Sequence, residues 1–110
     1  MLDRHGTRGL RHLLTDDERT YCMSRPRSAQ HVAARVASKE AAYKALQGVS
    51  EAKRVTWLDI EVSSSAEGRP RLVFHGRARQ AADDLGVTEA TISISHSQDT
   101  AIAMVVLTGG

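Results

Sequence analysis

Between Ser28 and Gln47 the chain is built almost wholly of strong helix formers, with Ala33, Ala34, Ala37, Ala41, Ala42 and Ala45 supplying most of the apolar positions. No other stretch restricts the fold as tightly. Alanine loses no side-chain entropy on entering a helix, so the segment predicts a long helix, with Ser28 available as N-cap and Gly48 placed as its stop. Val32, Val36 and Leu46 complete the apolar positions. Because most of them carry only a methyl group, a neighbouring backbone can approach closely.

The elements around this helix follow from local signals. Asp3 to Leu14 reads as a helix with Arg4, Arg8 and Arg11 on one face. Thr15-Asp16-Asp17-Glu18 has the T-x-x-E form of a capping box, so a short helix should start there and run to about Cys22. Thr56 to Val62 alternates apolar with polar residues, and Arg71 to His75 forms a second such run after the turn-rich Ser63 to Pro70; together they predict a hairpin. Arg77 to Leu85 reads as a helix stopped by Gly86, and Ala90 to Ser95 with Thr100 to Leu107 as a final hairpin turning at His96 to Asp99. Helices interspersed with antiparallel strands, and little room for parallel crossovers, predict an α+β fold with helices packed on an antiparallel sheet.

Length and composition narrow the function. A chain of 110 residues has the size of one domain, expected to span residues 1–110, and buries only about two thirds of its unfolded surface. A site for a large ligand is therefore expected to need help from a neighbouring subunit. The longest apolar run, Ala101 to Leu107, is far too short to span a bilayer, and Met1 to His5 has no apolar export core. Cys22 is the single cysteine, which excludes an intrachain disulfide and makes the cytoplasm the expected compartment. A net charge of +2 and a pI near 9.0 suit anionic ligands or an acidic partner. Aromatic residues at 4% argue against a base-stacking surface, so no nucleic-acid partner is expected.

Two stretches can carry chemistry. In the alanine-rich helix Arg35, Glu40 and Lys44 interrupt the small residues, with Arg35 expected at the edge of the face that carries the other two. From spacing alone a solvated Glu40–Lys44 ion pair is the plainer reading. In Thr91-Ile92-Ser93-Ile94-Ser95-His96-Ser97 the alternation of a half-buried strand explains Ser93 and Ser95, yet hydroxyls and an imidazole at a strand end also suit phosphate oxygens. Arg4-His5-Gly6-Thr7-Arg8 matches the R-H-G-x-R form of histidine phosphatases, but no strand precedes it and the chain is too short for that fold.

Taken together, the order of motifs is specific. Ala33-Ala34-Arg35 with Lys39-Glu40-Ala41 and Lys44-Ala45-Leu46, then Ile92-Ser93-Ile94-Ser95-His96-Ser97, then Thr100 to Leu107, resembles the holo-(acyl-carrier-protein) synthase family of phosphopantetheinyl transferases. Leu14 to Glu18 is similar to that family's F-T-x-x-E helix start, and Asp59-Ile60-Glu61-Val62 with Gly68-Arg69-Pro70 to its hairpin. The resemblance implies transfer of 4'-phosphopantetheine from coenzyme A to a serine of apo acyl carrier protein, with magnesium required and 3',5'-ADP released. It implies Glu40 as metal ligand and catalytic residue and Lys44 near the transferred phosphate or incoming serine. It further implies Arg35, Ser95 and His96 as holders of coenzyme A phosphates, and leaves the general base open. It also implies a homotrimer with the site between subunits, and an acidic carrier protein that could dock on Arg4, Arg8 and Arg11.

Family members normally open with a strand of the form G-I-G-x-D-I-V-E-I, whose Asp is the second carboxylate on the metal. This chain begins Met1-Leu2-Asp3, and Asp3 follows no such strand. With every downstream motif intact, Met1 is expected to be an internal start of a longer natural protein. The competing expectation is a catalytically impaired homologue that binds carrier protein or coenzyme A without turning it over.

Overall fold

A computed structural model describes residues 12–64, 68–97 and 100–109. The expected helix over Asp3 to Leu14, with Arg4, Arg8 and Arg11, lies almost entirely outside them; His12 and Leu13 are helical. Helix α1 (Asp16–Met23) starts at the capping box read in the sequence. The Glu18 amide donates to Thr15 Oγ1 at 3.2 Å, and the Thr15 amide donates to Glu18 Oε1 at 2.8 Å. Asp16, Asp17 and Glu18 also place negative charge at the positive end of the helix dipole.

Helix α2 spans Ser28–Ala45. Its cap is not Ser28 but Arg27, which turns the chain at a left-handed φ of 59° and leaves Ser28 already helical. The helix gives way at Leu46, before Gly48 is reached. Gly48 instead permits a close approach: a Cβ there would lie 2.8 Å from Leu85 Cδ2.

Two 3₁₀ turns, Ser50–Arg54 and Trp57–Asp59, lead into strand β1 (Ile60–Ser64). The strand expected from Thr56 therefore begins four residues late. The reason is a second capping box, in which the Thr56 amide donates to Asp59 Oδ2 at 3.1 Å and curls the chain before it can extend. β1 pairs antiparallel with β2 (Pro70–Phe74), Ile60 opposite Phe74 and Ser64 opposite Pro70. Helix α3 (Gly76–Leu85) ends at Gly86, whose φ of 77° suits glycine. β3 (Val87–His96) and β4 (Ala101–Gly109) form the last hairpin, longer than expected at both outer ends.

The hairpins form two separate two-stranded ladders among the described residues, with β2 lying against β3. Ala42 and Leu46 of α2, Ala78, Ala81 and Ala82 of α3, and Ile60 of β1 make the main core, with Phe74, Val105 and Leu107 packed on it. Small side chains at these helix positions let the elements close together, as the alanine pattern predicts. In the second hairpin alternate residues of β4 are half-buried, and α2 lies along that strand. The other face presents Ser93 opposite Met104 and Ser95 opposite Ile102. There Ile102 and Met104 are each 65% exposed and Val106 is 47% exposed. No described helix is long and apolar enough to cross a membrane.

Candidate active site

Five residues along an α-helix correspond to a rotation of about 140°, and α2 uses that angle to separate its charges. Arg35 is only 4% exposed, whereas Glu40 and Lys44 stand at the surface. Arg35 therefore lies not at the edge of the Glu40 face, as expected, but on the buried side of the helix. Nor do Glu40 and Lys44 form an ion pair; among the described residues neither has a hydrogen-bonding or ionic partner.

Arg35 points into a polar seam between α1, α2 and β1. Its Nη2 donates to Ser64 Oγ at 3.0 Å, its guanidinium carbon lies 4.3 Å from the centre of the Tyr21 ring, and its buried Nε has no partner. A second guanidinium, that of Arg25, lies 3.9 Å from the same ring, and His31 meets the ring edge-on at 5.7 Å. Two clefts open here. One, of about 340 Å³, is lined by Asp17, Glu18, Arg25 and Glu61; the other, of about 370 Å³, is lined by His31, Gly68, Ile92 and Ser93. Tyr21, Arg35 and Ser64 line both.

Of the β3 residues, Ser93 reaches a cleft, whereas Ser95 lies two residues farther along on the exposed face. His96 closes β3 opposite Ala101. Arg35 lines both of these clefts, whereas Glu40, Lys44 and Ser95 line neither.

Beneath the clefts lies a polar network that sequence reasoning missed. Lys39, fully buried, donates from Nζ to Glu18 Oε1 at 2.8 Å, to the Trp57 carbonyl at 2.7 Å and to the Ile60 carbonyl at 2.5 Å. Glu18 Oε2 accepts the Val62 amide at 2.7 Å. Together the two side chains satisfy the Ile60 carbonyl and the Val62 amide, which face away from β2. Burial pulls the Lys39 ammonium below its ordinary 10.5, opposed by the carboxylates of Glu18 and Glu61. Glu61 accepts from Thr15 Oγ1 at 3.0 Å and meets His75 Nε2 at 2.8 Å. Burial alone would raise the Glu61 carboxyl, but His75, Thr15 and the Lys39 charge outweigh it and hold the group below 4.5. Burial likewise raises the Cys22 thiol above 9.0, which leaves it unreactive.

Signals for this network existed. Val32, Arg35, Lys39, Ala42 and Leu46 recur at helical spacing as one buried stripe, so two of the cations sit where core residues belong. Ser64 had no such signal, and the four-residue step from Tyr21 to Arg25 does not by itself reveal the cleft that both line.

A family model described as "4'-phosphopantetheinyl transferase superfamily" matches residues 1–105. A holo-[acyl-carrier-protein] synthase of Koribacter versatilis is 43% identical over 106 residues, covering 96% of this chain and 84% of that protein. One from Alkalilimnicola ehrlichii is 47% identical over 108 residues, covering 97% and 84%. Among solved structures, the Helicobacter pylori holo-[acyl-carrier-protein] synthase in complex with coenzyme A superposes with a TM-score of 0.78 at 30% identity, covering 97% of this chain and 87% of that one.

Proposed function

Because the chain belongs to the 4'-phosphopantetheinyl transferase superfamily, we propose that it transfers 4'-phosphopantetheine from coenzyme A to a serine hydroxyl of an apo acyl carrier protein and releases 3',5'-ADP. The observation that carries this reading is Arg35, a buried cation whose Nε is unpaired and which lines two clefts. A buried cation with an unused donor is stabilised by a bound anion, and coenzyme A supplies phosphates. Ser93, which reaches the cleft, joins Ser95 and His96 as a candidate for holding them.

In the transfer, the serine oxygen bonds to the phosphorus that carries pantetheine, the bond from that phosphorus to the 3',5'-ADP half breaks, and the serine proton leaves to a base. Lys44, exposed and unpaired, is free to offset charge on the transferred phosphate. Glu40 would hold Mg2+, which when bound clamps the pyrophosphate and neutralises charge on the leaving group. The donor set suits that ion. Magnesium commonly takes one or two carboxylates and completes its shell with water and substrate phosphates, and Glu40 is a carboxylate without a competing partner. No cluster of three or more ligating side chains exists among the described residues.

In the same proposal, residues 1–110 form one domain that works in the cytoplasm as a homotrimer, with Arg4, Arg8 and Arg11, outside the described residues, as the dock for an acidic carrier protein. The exposed side chains of Ile102, Met104 and Val106 support a partner subunit on that face of the second hairpin. A site shared between subunits would also explain why Glu40, Lys44 and Ser95 lie outside the clefts that Arg35 lines. Met104→Asp should reduce the mass measured by light scattering to that of a monomer and abolish transfer; an unchanged mass contradicts the interface. The function itself is tested by following 3',5'-ADP release from coenzyme A with and without apo carrier protein. Release that requires the carrier supports transfer, whereas coenzyme A binding without release identifies a binding module.

A further inference from the structure

We propose that Tyr21 is a positioning residue for coenzyme A binding, an aromatic clamp that fixes the Arg35 guanidinium at the cleft without cancelling its charge. The inference rests on the reading that Arg35 holds a coenzyme A phosphate. A long arginine side chain has many rotamers, and an unrestrained one loses that freedom when it binds an anion. Arg35 is already immobilised, by a hydrogen bond to Ser64 and by the Tyr21 ring 4.3 Å from its guanidinium carbon.

The nature of those two partners is what matters. Asp17, Glu18 and Glu61 line the same cleft, yet no carboxylate among the described residues pairs with Arg35 or with Arg25. A carboxylate would hold a guanidinium and also neutralise it. A tyrosine ring attracts the cation through its quadrupole and leaves the formal charge in place for a ligand. Tyr21 has Arg25 at 3.9 Å as well, so one neutral ring gathers two positive charges beside clefts that it lines itself. His31, edge-on to the ring, fixes the ring in turn.

The test replaces Tyr21 by phenylalanine and then by phenylalanines of increasing fluorination, which keep the ring's shape while draining its negative face. The dissociation constant for coenzyme A is measured by calorimetry on the full chain, together with KM and kcat. Phenylalanine should bind within about twofold of tyrosine, and affinity should then fall stepwise, by about tenfold at full fluorination. KM for coenzyme A should rise in parallel, with kcat and KM for the carrier protein unchanged. Tyr21→Trp, with the strongest quadrupole, should retain affinity. Arg35→Ala separates the two ideas. If Arg35→Ala leaves coenzyme A affinity unchanged, the phosphate reading of Arg35 fails; if it weakens binding while the fluorinated series stays flat, only the clamp is overturned.

Discussion

Along α2 the face that carries Arg35 and Lys39 turns into the protein, and the face that carries Glu40 and Lys44 turns to solvent. Lys39 and Glu40 are sequence neighbours with opposite surroundings. The lysine is fully buried and bonded to Glu18 and to two carbonyls, while the glutamate has no partner among the described residues. A charged motif can thus divide between two tasks. Lys39 fastens α2 to the edge of β1, and Glu40 stays available for a ligand because its neighbour takes the structural role. Arg35 combines features of both, buried as Lys39 is but incompletely paired.

The buried pair is the most sensitive point of this contrast. Lys39→Met should destabilise the chain by about 3–5 kcal/mol in urea titration, because it leaves the Glu18 carboxylate buried without its cation. Lys39→Met with Glu18→Gln should recover part of that loss, since the remaining side chains are neutral. Equal loss in single and double variants would show that the pair is not the source. On the exposed side, Glu40→Ala should lower the transfer rate by about a hundredfold or more while shifting the urea midpoint little, as surface changes do. Lys44→Ala should follow the same pattern at about tenfold. A folding defect in either would contradict the division of labour.

The cap of α1 contributes less. Thr15→Val removes the α1 cap and the hydrogen bond to Glu61, and should cost about 1 kcal/mol at neutral pH. Because the folded-state carboxyl of Glu61 is held below 4.5, its contribution is complete above that pH and is lost as pH falls through the folded value. Without the Thr15 hydroxyl the Glu61 carboxyl returns toward 4.5. The stability gap between parent and variant should therefore narrow as pH drops below 4.5. A gap that stays constant on acidification would mean that the hydroxyl does not favour the ionised carboxylate.

Much of the architecture is legible in the residues themselves. Alanine density marks α2, Thr15 and Glu18 mark the start of α1, Gly86 marks the end of α3, and alternation marks both hairpins. The delayed start of β1 was legible too, because Thr56 and Asp59 form the same kind of box as Thr15 and Glu18, but the alternation of Thr56 to Val62 masked it. Ion-pair spacing misled at Glu40 and Lys44, since adjacency on a helix permits a pair without enforcing one. The Tyr21 clamp and the Glu18–Lys39 bond join residues from separate elements, and such contacts exist only once tertiary packing has brought α1 against α2.

Phosphopantetheine transfer dependent on Glu40 is read out by intact mass spectrometry of the carrier protein. The chain is incubated with apo acyl carrier protein, coenzyme A and magnesium, with Glu40→Ala alongside. The carrier should gain the mass of one phosphopantetheine group with the parent chain and remain apo with the variant. A carrier that stays apo with the parent chain, or one modified equally by both, would contradict Glu40-dependent transfer.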